Sequence, residues 1–319
     1  MSGFSADWLA LREGADHAAR NRRLLGLLEA RFAGREHMRV LDLACGAGSN
    51  LRGQALHLPP RQSWRLVDHD PQLLDAARAA LVAWADRVEA PDHAAFRRNR
   101  LNAENVIDSR KLERALREEP VSTFSQRALK PLTLLKADRR LEIAFERSDL
   151  ARFDRNLLAQ DLDLVTGAAF FDLVSAAWID DFCAALAERR LPLYAVLSYD
   201  GNERWSPAHD ADAAMLAAFG AHQSRDKGFG PAAGPGTAAL LRDALERRGY
   251  AVETASSAWR LGPAEKDLIR ELANGSARAV METALVPAAV VEAWRASRCI
   301  ATACEIGHVD LFAGSDTDS

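Results

Sequence analysis

The sequence predicts an α/β protein built around a doubly wound, mostly parallel β-sheet. The first observation is the stretch 40–50, V-L-D-L-A-C-G-A-G-S-N, in which an apolar run breaks into two glycines separated by one residue. This pattern is typical of a buried parallel strand that leads through a tight turn into a helix. The second observation is a series of further strand-like runs, at 64–67, 141–145, 162–173, 193–201, 250–254 and 305–313. With 319 residues, of which 48% are hydrophobic, the chain can bury a large core.

The two glycines of the turn, Gly46 and Gly48, let backbone amides approach a ligand that a side chain would block. The N-terminus of the following helix, expected at 50–58, attracts negative charge. Asp42, inside the strand, does not suit a phosphate site and favours a ligand that presents a cation or an amine. A dinucleotide-binding turn would carry a third glycine where this chain has Leu51. The dinucleotide interpretation is therefore the weaker one.

The stretch 42–50, D-L-A-C-G-A-G-S-N, resembles motif I of the class I S-adenosylmethionine (SAM)-dependent methyltransferases. The resemblance implies SAM as the cofactor and a seven-stranded sheet whose last strand is antiparallel. It also implies a helical addition between strands six and seven, where 263–274 and 287–298 are predicted helices. Nucleic-acid N-methyltransferases commonly carry [N/D]-P-P-[Y/F] after the fourth strand, but this chain has T-G-A-A at 166–169. That difference argues against methylation of a nucleic-acid base.

Acidic residues lie at three successive strand ends: Asp42, Asp68 and Asp149. Asp68 follows the glycines by about twenty residues, a spacing at which a carboxylate can accept hydrogen bonds from two ribose hydroxyls. The resemblance implies that Asp149 meets the adenine amino group and that Leu73 packs near the adenine. Helix capping is an alternative role for Asp149, as it is for Asp70 ahead of a proline. The full set of predicted cofactor-binding residues is Asp42, Ala44, Cys45, Gly46, Gly48, Asn50, Asp68, His69, Leu73, Asp149, Leu150, Thr166 and Phe171.

Residues 1–36 are predicted to form a helical cap, in which Trp8, Arg12, Asp16 and Arg20 recur every four residues on one stripe of a helix. One interpretation is a ladder of surface ion pairs, each contributing only a few tenths of a kcal/mol. The other is a helix laid over the SAM pocket, with an arginine that reaches a carboxylate of cofactor or substrate.

The remaining chain divides into a methyltransferase core at 37–84 and 139–313, a helical insertion at 85–138, and a disordered tail at 314–319. The insertion includes a predicted helix at 108–118 and a basic cluster at 97–100. Acids nearly balance bases across the insertion, so this cluster is expected on a solvated helical face. Docking of an acidic partner and a homodimer contact are the alternatives.

The candidate substrate side begins where strand five ends, because ligands of doubly wound sheets lie beyond the carboxyl ends of the strands. The Gly- and Pro-containing stretch 220–236 is predicted to be a recognition loop over this edge, with a plain surface loop as the alternative. The candidate catalytic residues are Tyr199, His209, His222 and Asp226, none of them favoured. The candidate substrate-binding residues are Arg12, Arg20, Trp205, Arg225, Lys227 and His308.

Composition narrows the class of protein. The net charge of −4 offers no general field for nucleic acid, and no apolar run is long enough to cross a bilayer. The N-terminal M-S-G-F is unlike a signal peptide, and four scattered cysteines do not form a disulfide framework. Cys299, Cys304 and His308 are too few to predict a metal site. A cytoplasmic protein without a metal is expected.

The functional expectation is SAM-dependent methyl transfer to an oxygen or nitrogen of a small polar metabolite. Such transfer is an in-line displacement in which positioning supplies much of the rate, so a catalytic base is optional. Three alternatives stay open at this point: a protein or RNA acceptor docked on the insertion, a SAM-binding module without transfer activity, and a dehydrogenase.

Overall fold

The computed structural model describes residues 4–86 and 129–315, which form one mixed β-sheet with helices on both faces. Its strands are β1 His37–Leu43, β2 Arg61–Asp68, β3 Leu132–Lys136, β4 Arg139–Arg147, β5 Leu164–Ala168, β6 Leu193–Ser206, β7 Tyr250–Ser256, β8 Trp259–Leu261 and β9 Ala303–Ser315. Its helices are α1 Ala6–Ala19, α2 Arg22–Phe32, α3 Ser49–Gln54, α4 Pro71–Asp86, α5 Ala176–Glu188, α6 Asp212–Gln223, α7 Thr237–Glu246, α8 Lys266–Met281 and α9 Ala288–Arg298.

The strands are arranged in the order β3-β4-β2-β1-β5-β6-β9-β7, and β8 pairs with β9 outside this path. The five central strands, β4-β2-β1-β5-β6, are parallel to one another. Strand β9 lies between β6 and β7 and runs antiparallel to both. The predicted fold class, a doubly wound, mostly parallel sheet with an antiparallel last strand, is therefore confirmed.

The alternating direction of the side chains along β1 explains how the sheet separates two cores. Met38 and Val40 pack into the apolar cluster beneath α2 and α4, whereas Leu41 and Leu43 pack into the cluster beneath α5 and α7. Successive strand residues point to opposite faces, so Asp42 shares the face of Val40. Asp42, the acidic residue within this apolar run, is thus directed toward α3, which begins just after the glycine turn.

Strands β6 and β9 are 14 and 13 residues long, so they continue past the carboxyl edge of the parallel strands. Their far halves, together with β8 and helices α6, α8 and α9, enclose a third apolar cluster rich in tryptophan. We call this part the C-terminal helical cluster. It supplies a wall beside the edge at which a doubly wound sheet binds its ligands.

Two predictions about chain organisation need correction. The segment predicted as a helical insertion ends in a strand, because L-T-L-L-K at 132–136 pairs with β4 across a tight turn at Ala137, whose φ is 53°. Leu132 and Leu134 are buried by this hairpin, as period-two alternation requires. The tail predicted from residue 314 begins later, because Gly314 and Ser315 belong to β9 and pair with β7. The rest of the insertion, with its basic cluster, and residues 316–319 lie outside the described residues.

In the part of the chain that the structure describes, no helix combines the length and apolar character needed to cross a membrane.

Candidate active site

The glycine turn follows β1 in a backbone conformation that side chains rarely adopt. Ala44, Gly46 and Gly48 have φ values of 49°, 53° and 74°. The Gly48 amide donates to the Cys45 carbonyl over 2.9 Å, and Gly48 directly precedes α3. A Cβ atom on Gly46 would lie only 3.0 Å from a methyl carbon of Leu9 in α1. The turn therefore needs glycine both for its φ angles and for the close approach of α1.

The Asp68 carboxylate holds this turn from the end of β2. Its Oδ2 accepts a hydrogen bond from the Gly46 amide at 2.9 Å, and its Oδ1 accepts one from the Asp70 amide at 3.0 Å. His69 Nδ1 lies 3.3 Å from the same Oδ1. Each oxygen of a carboxylate has two acceptor positions, so both can still receive a ligand hydroxyl. Asp70 itself accepts from the Gln72 amide at 2.8 Å, which is the capping role considered as its alternative.

Asp42 takes part in a buried polar network between β1, α3 and β5. Asn50 Nδ2 donates to Asp42 Oδ1 at 2.7 Å and to Thr166 Oγ1 at 3.1 Å. Asn50 Oδ1 accepts from Arg20 Nη2 at 2.9 Å and from Gln54 Nε2 at 2.6 Å. Asn50 thus joins an anion to a cation, and the network fixes the start of α3 relative to the two strands.

Burial raises the pKa of Asp42 to about 7. The hydrogen bond from Asn50 and the charge of Arg20 oppose this rise, while the neighbouring charge of Asp68 adds to it. The second oxygen of Asp42, Oδ2, is buried and has no hydrogen-bond partner among the described residues. The site therefore holds two carboxylates and only partial compensation from one arginine.

Helix α1 covers the turn, and its charged stripe is buried. The exposed fractions of Arg12, Asp16 and Arg20 are 9%, 8% and 6%, so the surface ladder of ion pairs is the wrong interpretation. Arg12 Nε and Nη2 bind the Asp16 carboxylate, and Trp259 Nε1 donates to Asp16 Oδ1 at 3.1 Å. The Arg12 guanidinium also lies 4.8 Å from the centre of the Trp259 ring.

Two contacts dock the middle of α1 onto α3. Arg52 Nη2 donates to Glu13 Oε2 at 2.6 Å, and His17 Nε2 lies 3.0 Å from the Ser49 carbonyl oxygen. At the junction of α1 and α2, the Asn21 amide donates to Asp310 Oδ2 at 2.8 Å. The other oxygen of Asp310 accepts from the Leu197 amide in β6, also at 2.8 Å. The last strand thereby ties the covering helices to the sheet.

The other predicted cofactor residues divide between surface and core. Asp149 is exposed and its Oδ1 accepts from the Ala151 amide at 3.1 Å, a local turn contact. Leu73 and Leu150 are buried. Phe171 is fully buried and packs against Phe182 of α5 at 5.5 Å between ring centres, which places it in the core. Burial also raises the pKa of the Cys45 thiol, which is typical of an unreactive cysteine.

Tyr199 and His308 meet beyond the carboxyl ends of the parallel strands. Their ring centres are 6.3 Å apart, and the Tyr199 hydroxyl donates to Glu203 at 3.0 Å. His308 is 5% exposed, and its Nδ1 has no hydrogen-bond partner in the described ranges. Burial and the charge of Arg12 lower the pKa of His308 to about 3, so its ring is neutral at physiological pH.

The candidates from the stretch 209–227 make contacts that hold local structure. His209 Nδ1 accepts from the Ala211 amide at 3.1 Å, at the start of α6. His222 and Arg225 bind Glu282 at the end of α8, through its Oε2 and its carbonyl oxygen respectively. Asp226 accepts two backbone amides of its own loop, and Lys227 donates to the His222 carbonyl oxygen.

Strand order now decides the fold family, since β9 lies antiparallel between β6 and β7 beside five parallel strands with the glycine turn after β1. The chain has the class I methyltransferase fold. No protein-family model matches the sequence. No curated protein matches it either.

Comparison with solved structures finds matches that cover most of the chain. A putative methyltransferase from Bacillus halodurans is 12% identical with a TM-score of 0.46, the match covering 92% of this chain and 99% of that one. A cyclopropane-fatty-acyl-phospholipid synthase-like protein from Lactobacillus casei is 14% identical, with a TM-score of 0.46 and coverage of 97% and 94%. A cyclopropane synthase from Mycobacterium tuberculosis is 11% identical, with a TM-score of 0.45 and the same coverage of 97% and 94%.

Asp172 was not among the residues predicted from the sequence, although it lies near the carboxyl end of β5. Asp172 lies in the 3₁₀ turn directly after β5, and its Oδ1 is buried without a hydrogen-bond partner among the described residues. Burial raises its pKa to about 6, while the charge of Arg12 lowers it. Asp172 in turn contributes to the raised pKa of Tyr199. The only signal in the sequence is an acid within the stretch 162–173, which predicts a strand and its exit.

Proposed function

We propose that this protein transfers a methyl group from SAM to an oxygen or nitrogen of a small polar molecule. The observation that carries the proposal is the pair of carboxylates, Asp42 and Asp68, at a glycine turn where the charge of Arg20 only partly compensates that of Asp42. A cationic ligand relieves this excess of negative charge, and SAM carries both a sulfonium and an ammonium group. A dinucleotide would instead bring two phosphate charges toward the same carboxylates, which opposes its binding.

The residues present fit SAM. Gly46 and Gly48 adopt positive φ angles that a side chain disfavours, so the turn can present backbone amides to a ligand. The buried Oδ2 of Asp42 is a carboxylate atom without a partner among the described residues. Asp68 would hold the ribose hydroxyls through the acceptor positions that its two backbone contacts leave open. When bound, SAM supplies an electrophilic methyl group on a positively charged sulfur.

The contribution of the chain is positioning, exclusion of water and handling of a proton. Helix α1, held to α3 through Glu13 and His17, covers the glycine turn and shields it from solvent. At the acceptor side, Asp172 is the strongest candidate for a general base. Its Oδ1 is buried without a hydrogen-bond partner among the described residues, burial raises its pKa to about 6, and its charge acts on Tyr199. A base with a pKa near the working pH is the most effective kind.

The low solvent exposure of the residues at the acceptor side supports a small molecule as the methyl acceptor. Tyr199 and His308 are 8% and 5% exposed, and Arg12 is 9% exposed. Their enclosure suits a molecule that enters the site whole, and it suits a protein or nucleic-acid surface less well. The acid-rich neighbourhood of Asp172, Glu203 and Asp42 also opposes binding of a polyanion.

The first experiment is a titration of SAM, with NAD as a parallel ligand, against the wild type and Asp68→Ala. We expect the wild type to bind SAM and not to bind NAD. The variant should bind SAM at least about tenfold more weakly, since hydrogen bonds to a charged group are lost. Asp138→Ala, at an exposed hairpin position, is the matched control and should bind SAM like the wild type. Binding of NAD in place of SAM would overturn the proposal. Release of S-adenosylhomocysteine that depends on an added acceptor separates an enzyme from a binding module.

A further inference from the structure

A cavity lies inside the C-terminal helical cluster, between the end of β6 and helices α6, α8 and α9. Its volume is about 140 Å³. One water needs roughly 10–15 Å³ by the same measure, so a small organic molecule fits. Its lining includes Glu203, Trp205, Asp212, Phe219 and Trp294. We call it the acidic–aromatic cavity.

Aromatic rings form much of its wall. The ring centres of Trp205 and Trp294 are 5.5 Å apart and their planes are inclined by 78°, with Trp205 and Trp294 only 8% and 2% exposed. Phe219 adds a third ring and packs edge-on against Tyr199. The face of an aromatic ring carries negative electrostatic potential and attracts organic cations, most strongly where the site is shielded from water.

Two carboxylates complete the lining, and both are held by neutral donors. Glu203 accepts from the Tyr199 hydroxyl at 3.0 Å and from Trp205 Nε1 at 3.3 Å. Asp212 accepts from Trp294 Nε1 at 2.7 Å and from the His209 amide at 2.8 Å. These contacts orient the carboxylates toward the ring wall without neutralising them.

One cation lies close to this pair of acids. The fully buried Arg298 has Nη1 3.7 Å from Asp212 Oδ2, while the same Nη1 donates to the Pro207 carbonyl at 2.6 Å. Among the described residues, no ion pair involves Glu203, and the charge that acts on it is that of Asp212, which raises its pKa together with burial. One positive charge therefore faces two negative ones, and the uncompensated charge is that of Glu203.

We propose that the acidic–aromatic cavity binds a small organic ammonium ion, with Glu203 as its counter-ion and Trp205 and Trp294 as its aromatic wall. An anion is repelled by both carboxylates, and a neutral apolar molecule leaves the buried charge of Glu203 uncompensated. The proposal concerns binding alone and does not depend on methyl transfer. Tyr199 links this cavity to the candidate active site, because its hydroxyl holds Glu203 while its ring contacts His308.

The experiment compares choline with its neutral isostere 3,3-dimethyl-1-butanol, and adds tetramethylammonium as a minimal cation. Binding is followed through the indole N–H signals of Trp205 and Trp294 in NMR spectra of the full chain, assigned with Trp205→Phe. We expect both cations to bind saturably, shifting these two signals, with choline binding at least about tenfold tighter than the isostere. The buried Trp64 signal, from a residue in the apolar cluster beneath α2 and α4, should not move.

Glu203→Gln removes the charge and keeps an oxygen that can accept one of the two hydrogen bonds. It should weaken choline binding by about tenfold or more, while Glu292→Gln, on the exposed face of α9, should leave it within about twofold. The amide signals of Glu203→Gln in NMR spectra serve as the check on folding and should match those of the wild type away from the cavity. Any of three results would overturn the proposal. These are equal affinity for choline and the isostere, choline binding that Glu203→Gln does not change, and no saturable binding of either cation up to about 10 mM.

Discussion

We expect the affinity for SAM to rise with pH, because Asp42 must be ionised to favour a cationic ligand. In the free protein its pKa is raised by burial to about 7, against an ordinary value of 3.8. Bound SAM would bring positive charge near this carboxylate and lower its pKa again, so binding releases a proton. The perturbation that isolates this effect is Asp42→Asn, which keeps the shape of the side chain and removes its titration.

The size of the effect follows from the pKa. With a value of about 7, about one eleventh of Asp42 is ionised at pH 6 and about ten elevenths at pH 8, so the dissociation constant should fall about tenfold across this interval. The same shift of roughly three units means that the folded protein binds more protons than the unfolded chain between about pH 4 and pH 7. Its free energy of unfolding therefore falls with rising pH, by up to about 4 kcal/mol from this group alone.

Calorimetric titration of SAM at pH 6, 7 and 8, in two buffers of different ionisation enthalpy, measures both affinity and proton release. Titration of the SAM amine is common to all variants, so it cancels when they are compared. Asp42→Asn should bind SAM more weakly at pH 8 and show a flatter pH profile. Asp172→Asn is the matched control, because it removes another carboxyl whose pKa is raised and should keep the wild-type profile. A wild-type profile in Asp42→Asn would refute the reasoning.

Two further predictions concern stability and catalysis. Asn50→Ala leaves Asp42 and Arg20 without their shared partner inside the protein, so it should lower the free energy of unfolding by about 3–5 kcal/mol. Urea denaturation measures this loss, and Asn156→Ala, at an exposed position, is the control. If Asn50→Ala lowered the free energy of unfolding by less than about 1 kcal/mol, the prediction would be wrong. Asp172→Asn should reduce turnover by about 10²–10⁴-fold while the SAM dissociation constant stays within about twofold. Steady-state kinetics with an identified acceptor test this, and unchanged turnover would remove Asp172 from the mechanism.

The geometry of the glycine turn and its place at the carboxyl edge of the sheet were largely predictable because local sequence determines them. A parallel strand has a defined carboxyl end, so Asp68 could be assigned to the edge of the sheet from its place in the chain, and its contact with Gly46 agrees with that assignment. The glycines were predictable for the same reason, since φ angles of the turn exclude most side chains.

What could not be predicted depends on contacts between distant parts of the chain. The spacing of Arg12 and Asp16 predicts an ion pair, but Trp259, 243 positions from Asp16, is what covers it. Asp172 and Glu203 are ordinary acids in the sequence, and only burial by other elements distinguishes them. Strand β3 could not be predicted because its five residues are too few to show a clear alternation of apolar and polar side chains.

The contact between Asn21 and Asp310 has a consequence for the order in which the molecule is completed. Ribosomes deliver the N-terminal helices first, yet the carboxylate that receives the Asn21 amide comes 289 positions later, and Trp259 emerges nearly as late. The contacts of Glu13 and His17 with α3 join positions 39 and 32 apart, so they can form early. The contacts that tie the covering helices to the last strands must wait for almost the whole polypeptide, so the cover of the site is completed only at the end of synthesis.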